Sequence, residues 1–280
     1  MPAASLQERA AMKHRDLGQL EGPVLLFGGP YSNLHALEAL IAEAGRRGIP
    51  PQNCICTGDI VAYCAYPSET VARIREFDCA VVAGNCEIQL AANAMNCGCG
   101  FEEGTTCDLL SAAWYAHADK NVCAADREWM ADLPGIISFS HAGRRYAVIH
   151  GGLSNISRFL WPVSAQEDFA EEIARIDEII SGVNYVISGH CGVSFKRIID
   201  GIAWLNAGVI GMPANNGRTA TEYAVLSAGQ AQIFPLEYDH QAAHEAMKAA
   251  GLTQGYQEAL LTGYWPSEDV LPSSLRRVAS

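Results

Sequence analysis

Positive charge is scarce in this chain of 280 residues, where 19 lysines and arginines face 31 aspartates and glutamates for a formal charge of −12 at pH 7. Such a balance gives no electrostatic grip on nucleic acid or on an anionic membrane. An anionic substrate would need a local positive centre, such as a bound cation. Charge of either sign is sparse at 18% of residues, while 49% are hydrophobic, which excludes wholesale disorder and predicts a sizeable buried core. No apolar run approaches the roughly 18 residues a membrane helix requires. The polar stretch from Met1 to Gly22 lacks the hydrophobic run of a signal peptide. Repeats, low-complexity tracts and linkers are also missing. One domain over about 23–264 is therefore expected, with a polar segment at 1–22 before it and an irregular tail at 265–280 after it.

Other absences narrow the chemistry. Gly28-Gly29 is not part of a G-x-G-x-x-G pattern, which excludes a dinucleotide fingerprint there. No G-x-S-x-G elbow supports serine hydrolysis. Ten cysteines are present, but Cys97, Cys99 and Cys107 match no standard zinc or iron–sulfur spacing. Cys54, Cys56 and Cys79 sit inside strand-like runs, where cysteine behaves as a small hydrophobe. Reduced, mostly buried thiols and a cytoplasmic location are expected.

The elements that are present alternate. The apolar run 23–27 predicts a buried strand ending at Gly28-Gly29. A helix follows, capped by Ser32 or Asn33, striped by Leu34, Leu37, Leu40 and Ile41, and stopped by Gly48 and Pro50. Further strands are predicted at 54–56, 79–82, 146–149, 185–187, 197–199, 203–205, 223–225 and 232–234. Helices are predicted around 71–77, 109–117 and 239–261, and another carries a capping box of Ser164 and Glu167. The rhythm predicts an α/β fold with helices flanking its sheet.

Four polar residues stand in matching places, each after a buried strand and beside glycine: Asp59, Asn85, His150 and His190. In open α/β sheets, ligands bind beyond the carboxyl ends of strands, where glycine lets the backbone come close. Alone, each reads as a turn pair or a satisfied core histidine. Together, one carboxylate, one amide oxygen and two imidazoles suit a divalent transition metal.

The ordered blocks Gly58-Asp59, Gly84-Asn85, His150-Gly151 and Gly189-His190 resemble the signature of calcineurin-like metallophosphoesterases. Asn33–Leu40, Asp59–Tyr63 and Asn206-Ala207-Gly208 also resemble family segments, and the similarity runs from about Val24 to Phe234. The resemblance implies a two-sheet αββα sandwich and hydrolysis of phosphomonoesters or phosphodiesters by two bridged metals. Three positions depart from it. Gly29 and Tyr31 stand where the family's Asp-x-His would be, and Gly192 replaces the last histidine of Gly-His-x-His. All three belong to one metal site of the family. The retained Asp59, Asn85, His150 and His190 resemble the full set for the other. Cys86 stands where many relatives carry a histidine thought to protonate the leaving group.

The resemblance thus implies a phosphoesterase reduced to one divalent ion (manganese, iron, zinc or nickel) acting on a small phosphoester. A catalytically silent relative that binds metal or ligand is the other reading. Repair of the second site by a Tyr31 phenolate or by Cys64, Cys86 or Cys191 stays open. Arg218, in a Gly-rich loop, is a candidate phosphate partner, with a solvated loop arginine as the plainer account.

Overall fold

The computed structural model describes residues 13–277. Two sheets stack face to face with helices outside them. The larger contains, side by side, β1 (His14–Gln19), β5 (Ile136–His141), β6 (Arg144–Val148), β7 (Tyr185–Ser188), β9 (Ile202–Asn206) and β8 (Phe195–Ile199). The smaller contains β11 (Gln230–Leu236), β10 (Thr221–Ser227), β2 (Val24–Phe27), β3 (Cys54–Cys56) and β4 (Ala80–Val81). This is the α/β class that the sequence pattern predicts and the two-sheet sandwich that the resemblance implies.

The period of two explains the layering. In β2, Leu25 and Phe27 join the helix-side core while Val24 and Leu26 face the other sheet. Cys54 and Cys56 divide from Ile55 in the same way. Across the interface, Tyr146, Val148 and Ile187 fill the inner layer, and Ala147 and Val186 face outward under helices. Strands buried on both faces read as continuous apolar runs.

Helix α1 (Leu34–Arg46) covers the smaller sheet; the Asn33 side chain caps it by accepting from Ala36 N at 3.2 Å, and Leu37 and Leu40 are fully buried. Beside it lies α2 (Pro67–Phe77), with Val71 and Ile74 inward. Three helices then follow β4: α3 (Asn85–Ala91), α4 (Thr106–Asn121) and α5 (Ala124–Asp132). The larger sheet is covered by α6 (Gln166–Ile179) through Phe169, Ile173 and Ile176. Ser164 does not form the expected capping box. The helix starts one residue later than that box requires, and the Ser164 hydroxyl accepts from Trp161 N at 2.9 Å instead. The helical stretch expected over 239–261 is two helices, α7 (His240–Ala249) and α8 (Tyr256–Thr262), parted where Gly251 and Gly255 adopt positive φ.

Sequence reading missed β1 because it is a polar edge strand, held to β5 by backbone pairing from His14↔Ile136 onward. Residues 1–12 of the polar segment lie outside the described residues. Among the described residues no helix is long and apolar enough to cross a membrane.

Four loops at one end of the sandwich matter most. Those after β3 and β4 leave the smaller sheet, and those after β6 and β7 leave the larger one. Backbone bonds extend the ladders into them: Thr57 N to Phe27 O, Val82 N to Cys56 O, Ile149 N to Ile187 O, and Gly189 N to His150 O, at 2.7–3.0 Å. The site therefore straddles both sheets.

Candidate metal centre and the pocket beside it

Asp59, Asn85, His150 and His190 come together, with His150 at the centre. Its Nδ1–H donates to Thr57 O at 2.6 Å, because a carbonyl can only accept; that bond fixes the tautomer and leaves Nε2 facing inward. Around Nε2 stand Asp59 Oδ2 at 3.3 Å, Asn85 Oδ1 at 3.1 Å and His190 Nδ1 at 3.1 Å. Asn85 is oriented by its other end, where Nδ2 donates to Cys97 O at 2.9 Å. Four lone-pair atoms thus converge in a buried space. One proton on Nε2 cannot serve three acceptors at once, whereas a cation among them would serve all four. Asp59, His150 and His190 form a group able to hold a metal ion, with ligand atoms within 4.8 Å of one another. No thiol belongs to that group.

The backbone is bent to achieve this. Asp59 and His190 take left-handed φ values of 55° and 63°, a conformation that costs an ordinary residue about 1–3 kcal/mol. A Cβ on Gly58 would lie 2.7 Å from Gly84 N and 2.9 Å from His150 Nδ1, so only glycine lets these loops meet. Glu87 locks the Asp59 turn. Its fully buried carboxylate accepts from Asp59 N at 2.8 Å, Ile60 N at 2.8 Å and Gly84 N at 2.9 Å. Sequence reading missed Glu87, although its place two residues beyond Asn85 on α3 was a usable signal. It also missed the Thr57 and Cys97 carbonyls, which no sequence motif reveals.

Charges respond to burial. Burial and the Asp59 charge push Glu87 up to about 7. Burial opposes the Asp59 anion, but the neighbouring His150 and His190 hold its carboxyl below the ordinary value. Burial would lower His150, yet the Asp59 carboxylate raises it above 6.5 overall. Burial and His150 press His190 down to about 3. His190 Nε2 is buried without a hydrogen-bond partner.

The other expected site residues fall in instructive places. Cys86 is buried at the start of α3, with its backbone N–H on Asp59 Oδ1 at 3.2 Å. Burial and the Asp59 charge keep its thiol protonated. Tyr31 is also raised well above its ordinary value, first by burial and then by Asp59. Burial pushes up Cys64, and Cys191 to about 12. None of these four groups favours an anion where it stands. Arg218 is exposed on its loop and is absent from the wall of the pocket, so the plainer account of it holds. Cys97 and Cys99 are joined as a disulfide, against the expectation of reduced thiols, while eight cysteines are free.

The two glycines that stand at expected ligand positions are crowded. A Cβ on Gly29 would lie 2.7 Å from the Tyr31 ring and 2.7 Å from Val209 Cγ1. A Cβ on Gly192 would lie 3.2 Å from the Trp265 ring. Rings and a valine methyl thus crowd the first carbon that a side chain would add at either position. They form part of a pocket beside Asp59 and His190, with free space of about 50 Å³, room for a few waters. Phe101, Phe159, Trp161 and Tyr256 also line it, and Phe159 lies 4.4 Å from the His190 ring.

The model of the calcineurin-like phosphoesterase superfamily domain matches residues 31–231. The chain is 24% identical over 252 residues to the uncharacterised protein MJ0912 of Methanocaldococcus jannaschii, covering 83% of this chain and 95% of that one. Two solved structures share its fold. A metallophosphoesterase from Sphaerobacter thermophilus superposes with TM-score 0.67 at 20% identity, over 87% of this chain and all of that one (100%). The hypothetical protein PH1004 from Pyrococcus horikoshii does so with TM-score 0.69 at 16% identity, over 86% and 98%.

Proposed function

The chain belongs to the calcineurin-like phosphoesterase superfamily, and on that premise we propose that it hydrolyses phosphoesters with a single divalent transition metal held by Asp59, Asn85, His150 and His190. The observation that carries this reading is the ring of acceptors around His150 Nε2, at 3.1–3.3 Å, which has too few protons to satisfy itself. When bound, a divalent ion supplies Lewis-acid polarisation of a phosphoryl oxygen. The filled volume around Gly29 and Gly192 supports one ion rather than two.

The chain's own residues divide the remaining work. Thr57 O holds the His150 tautomer, and Cys97 O turns the Asn85 amide so that Oδ1 faces the centre. Glu87 keeps the Asp59 turn in place. His190 turns Nδ1 to the centre, and its ring packs against Phe159, which fixes its orientation. Cys86, protonated and beside Asp59, is the candidate proton donor to the leaving group. A cytoplasmic setting is part of the same proposal: eight free cysteines support it, and the Cys97–Cys99 pair does not. Nothing in the site favours the silent binding module over this reading.

The test is metal content per chain together with hydrolysis of generic phosphodiester and phosphomonoester substrates. One equivalent with slow turnover that disappears in Asp59→Ala is the expected result. Two equivalents, or metal binding with no turnover of either ester class, would reject the reading.

A further inference from the structure

The pocket beside the centre is unusual for a site that receives phosphate, because no lysine or arginine among the described residues lines it. Apart from Asp59, His190, Gly192 and Ser267, its wall is built from rings and sulfur-bearing or aliphatic side chains, among them Tyr31, Val209, Met212 and Trp265. Two of these, Tyr31 and Val209, crowd Gly29, and Trp265 covers Gly192, so the place of the second metal has become an apolar surface. Trp265 is fixed there by two bonds: its Nε1–H donates to Pro213 O at 2.7 Å, and its backbone N–H to Asn215 Oδ1 at 2.8 Å. The C-terminal segment is thus a built wall of the pocket, which Ser267 and Val270 extend.

Charge balance then limits the ligand. A divalent cation and the Asp59 carboxylate leave a single positive charge, and the buried Glu87 can only reduce it. Both histidines and Asn85 are neutral ligands. A monoanionic phosphoryl group would be neutralised by that charge. A dianionic phosphate or a polyphosphate would leave excess negative charge against apolar walls, which is costly without a further cation. We propose that the apolar pocket beside the centre is a subsite for an ester arm, so that the preferred substrate is a monoanionic phosphodiester bearing a small or flat apolar group. This rests on the single-metal reading above. The narrow free space favours a short alkyl or aryl arm over a nucleoside.

The experiment compares phenyl phosphate with methyl phenyl phosphate, which differ by one methyl group and one charge at pH 8. Each is titrated calorimetrically into the full chain loaded with Mn²⁺, and turnover of both is followed in parallel. Methyl phenyl phosphate is expected to bind at least about tenfold more tightly. Ser267→Lys, which brings a cation to the rim, is expected to erase or invert that ratio, and Val270→Lys repeats the test if the first variant does not fold. Equal or tighter binding of phenyl phosphate to the native chain, binding of neither ester, or an unchanged ratio in the lysine variant would overturn the proposal. Binding is read without turnover. Failure to hydrolyse either ester therefore counts against the proposed function while this inference is judged on the calorimetry. Equal binding of the two esters, with both hydrolysed, sinks the inference and leaves the function standing.

Discussion

Removing Glu87 is the most direct test of how the site is held. Its carboxylate is fully buried and accepts three backbone N–H groups at 2.8–2.9 Å, with Val61 N further off at 3.4 Å. In Glu87→Ala those three donors lose their acceptor in a space closed to solvent. At ~1–3 kcal/mol for each unsatisfied donor, the loss is about 3–5 kcal/mol after partial relaxation. Glu87→Gln keeps one acceptor oxygen but turns an NH₂ toward two of the N–H groups, and should cost about 2 kcal/mol. Both variants also release the left-handed Asp59, so metal affinity should fall along with stability. The pH dependence has a definite sign. Burial, then the Asp59 charge, raises Glu87 from 4.5 to about 7. Its stabilising contribution in the metal-free chain is therefore complete below 4.5 and lost as pH rises through about 7. Because glutamine cannot ionise, the gap between the native chain and Glu87→Gln should narrow over that window. Urea unfolding at several pH values and calorimetric metal titration read both effects. If Glu87→Gln unfolds within ~0.5 kcal/mol of the native chain and binds metal equally well, the turn is held by something else.

Other outcomes follow from the same geometry. His150→Ala should abolish stoichiometric metal binding while the chain stays folded; retention of one equivalent would remove His150 from the ligand set. A cation competes with the proton on His150 Nε2, whose pKa lies above 6.5 because Asp59 outweighs burial. Metal affinity should thus rise with pH from 6.5 upward and release a proton, which calorimetry in buffers of different ionisation enthalpy detects. Gly29→Asp should not restore a second ion. The new Cβ would meet the Tyr31 ring at 2.7 Å and φ is +39° there, so a loss of ~1–3 kcal/mol is expected in thermal unfolding. A second equivalent of metal in that variant would refute the filled half-site. Cys86→Ala should keep the metal and, if the thiol protonates the leaving group, slow esters with poor leaving groups more than activated aryl esters.

The amino-acid sequence by itself determined the layered α/β plan, since strands buried on both faces must be continuous apolar runs such as 24–27 and 185–187. It also determined which four side chains sit at strand ends, because Gly58, Gly84 and Gly189 mark the sharp exits beside Asp59, Asn85 and His190. It placed Gly29, Tyr31 and Gly192 where the family carries ligands, but left a Tyr31 phenolate open; the burial that keeps that hydroxyl protonated came from the structure. Tertiary structure decided the rest. Two loops from each sheet meet only because the sheets stack, and no local pattern records which strand ends face one another. Polar β1 was illegible because an edge strand is held by backbone bonds, which any residue but proline can make. The place of Glu87 beside Asn85 was a usable signal, but its partners, like the work of the Thr57 and Cys97 carbonyls, were hidden. A buried acceptor is defined by the donors brought to it, and those donors come from residues 27, 93 and 12 positions away. Nor could sequence show that Trp265, from the tail expected to be irregular, closes over Gly192. Side-chain type names a candidate; only packing in three dimensions gives it neighbours, a charge and a task.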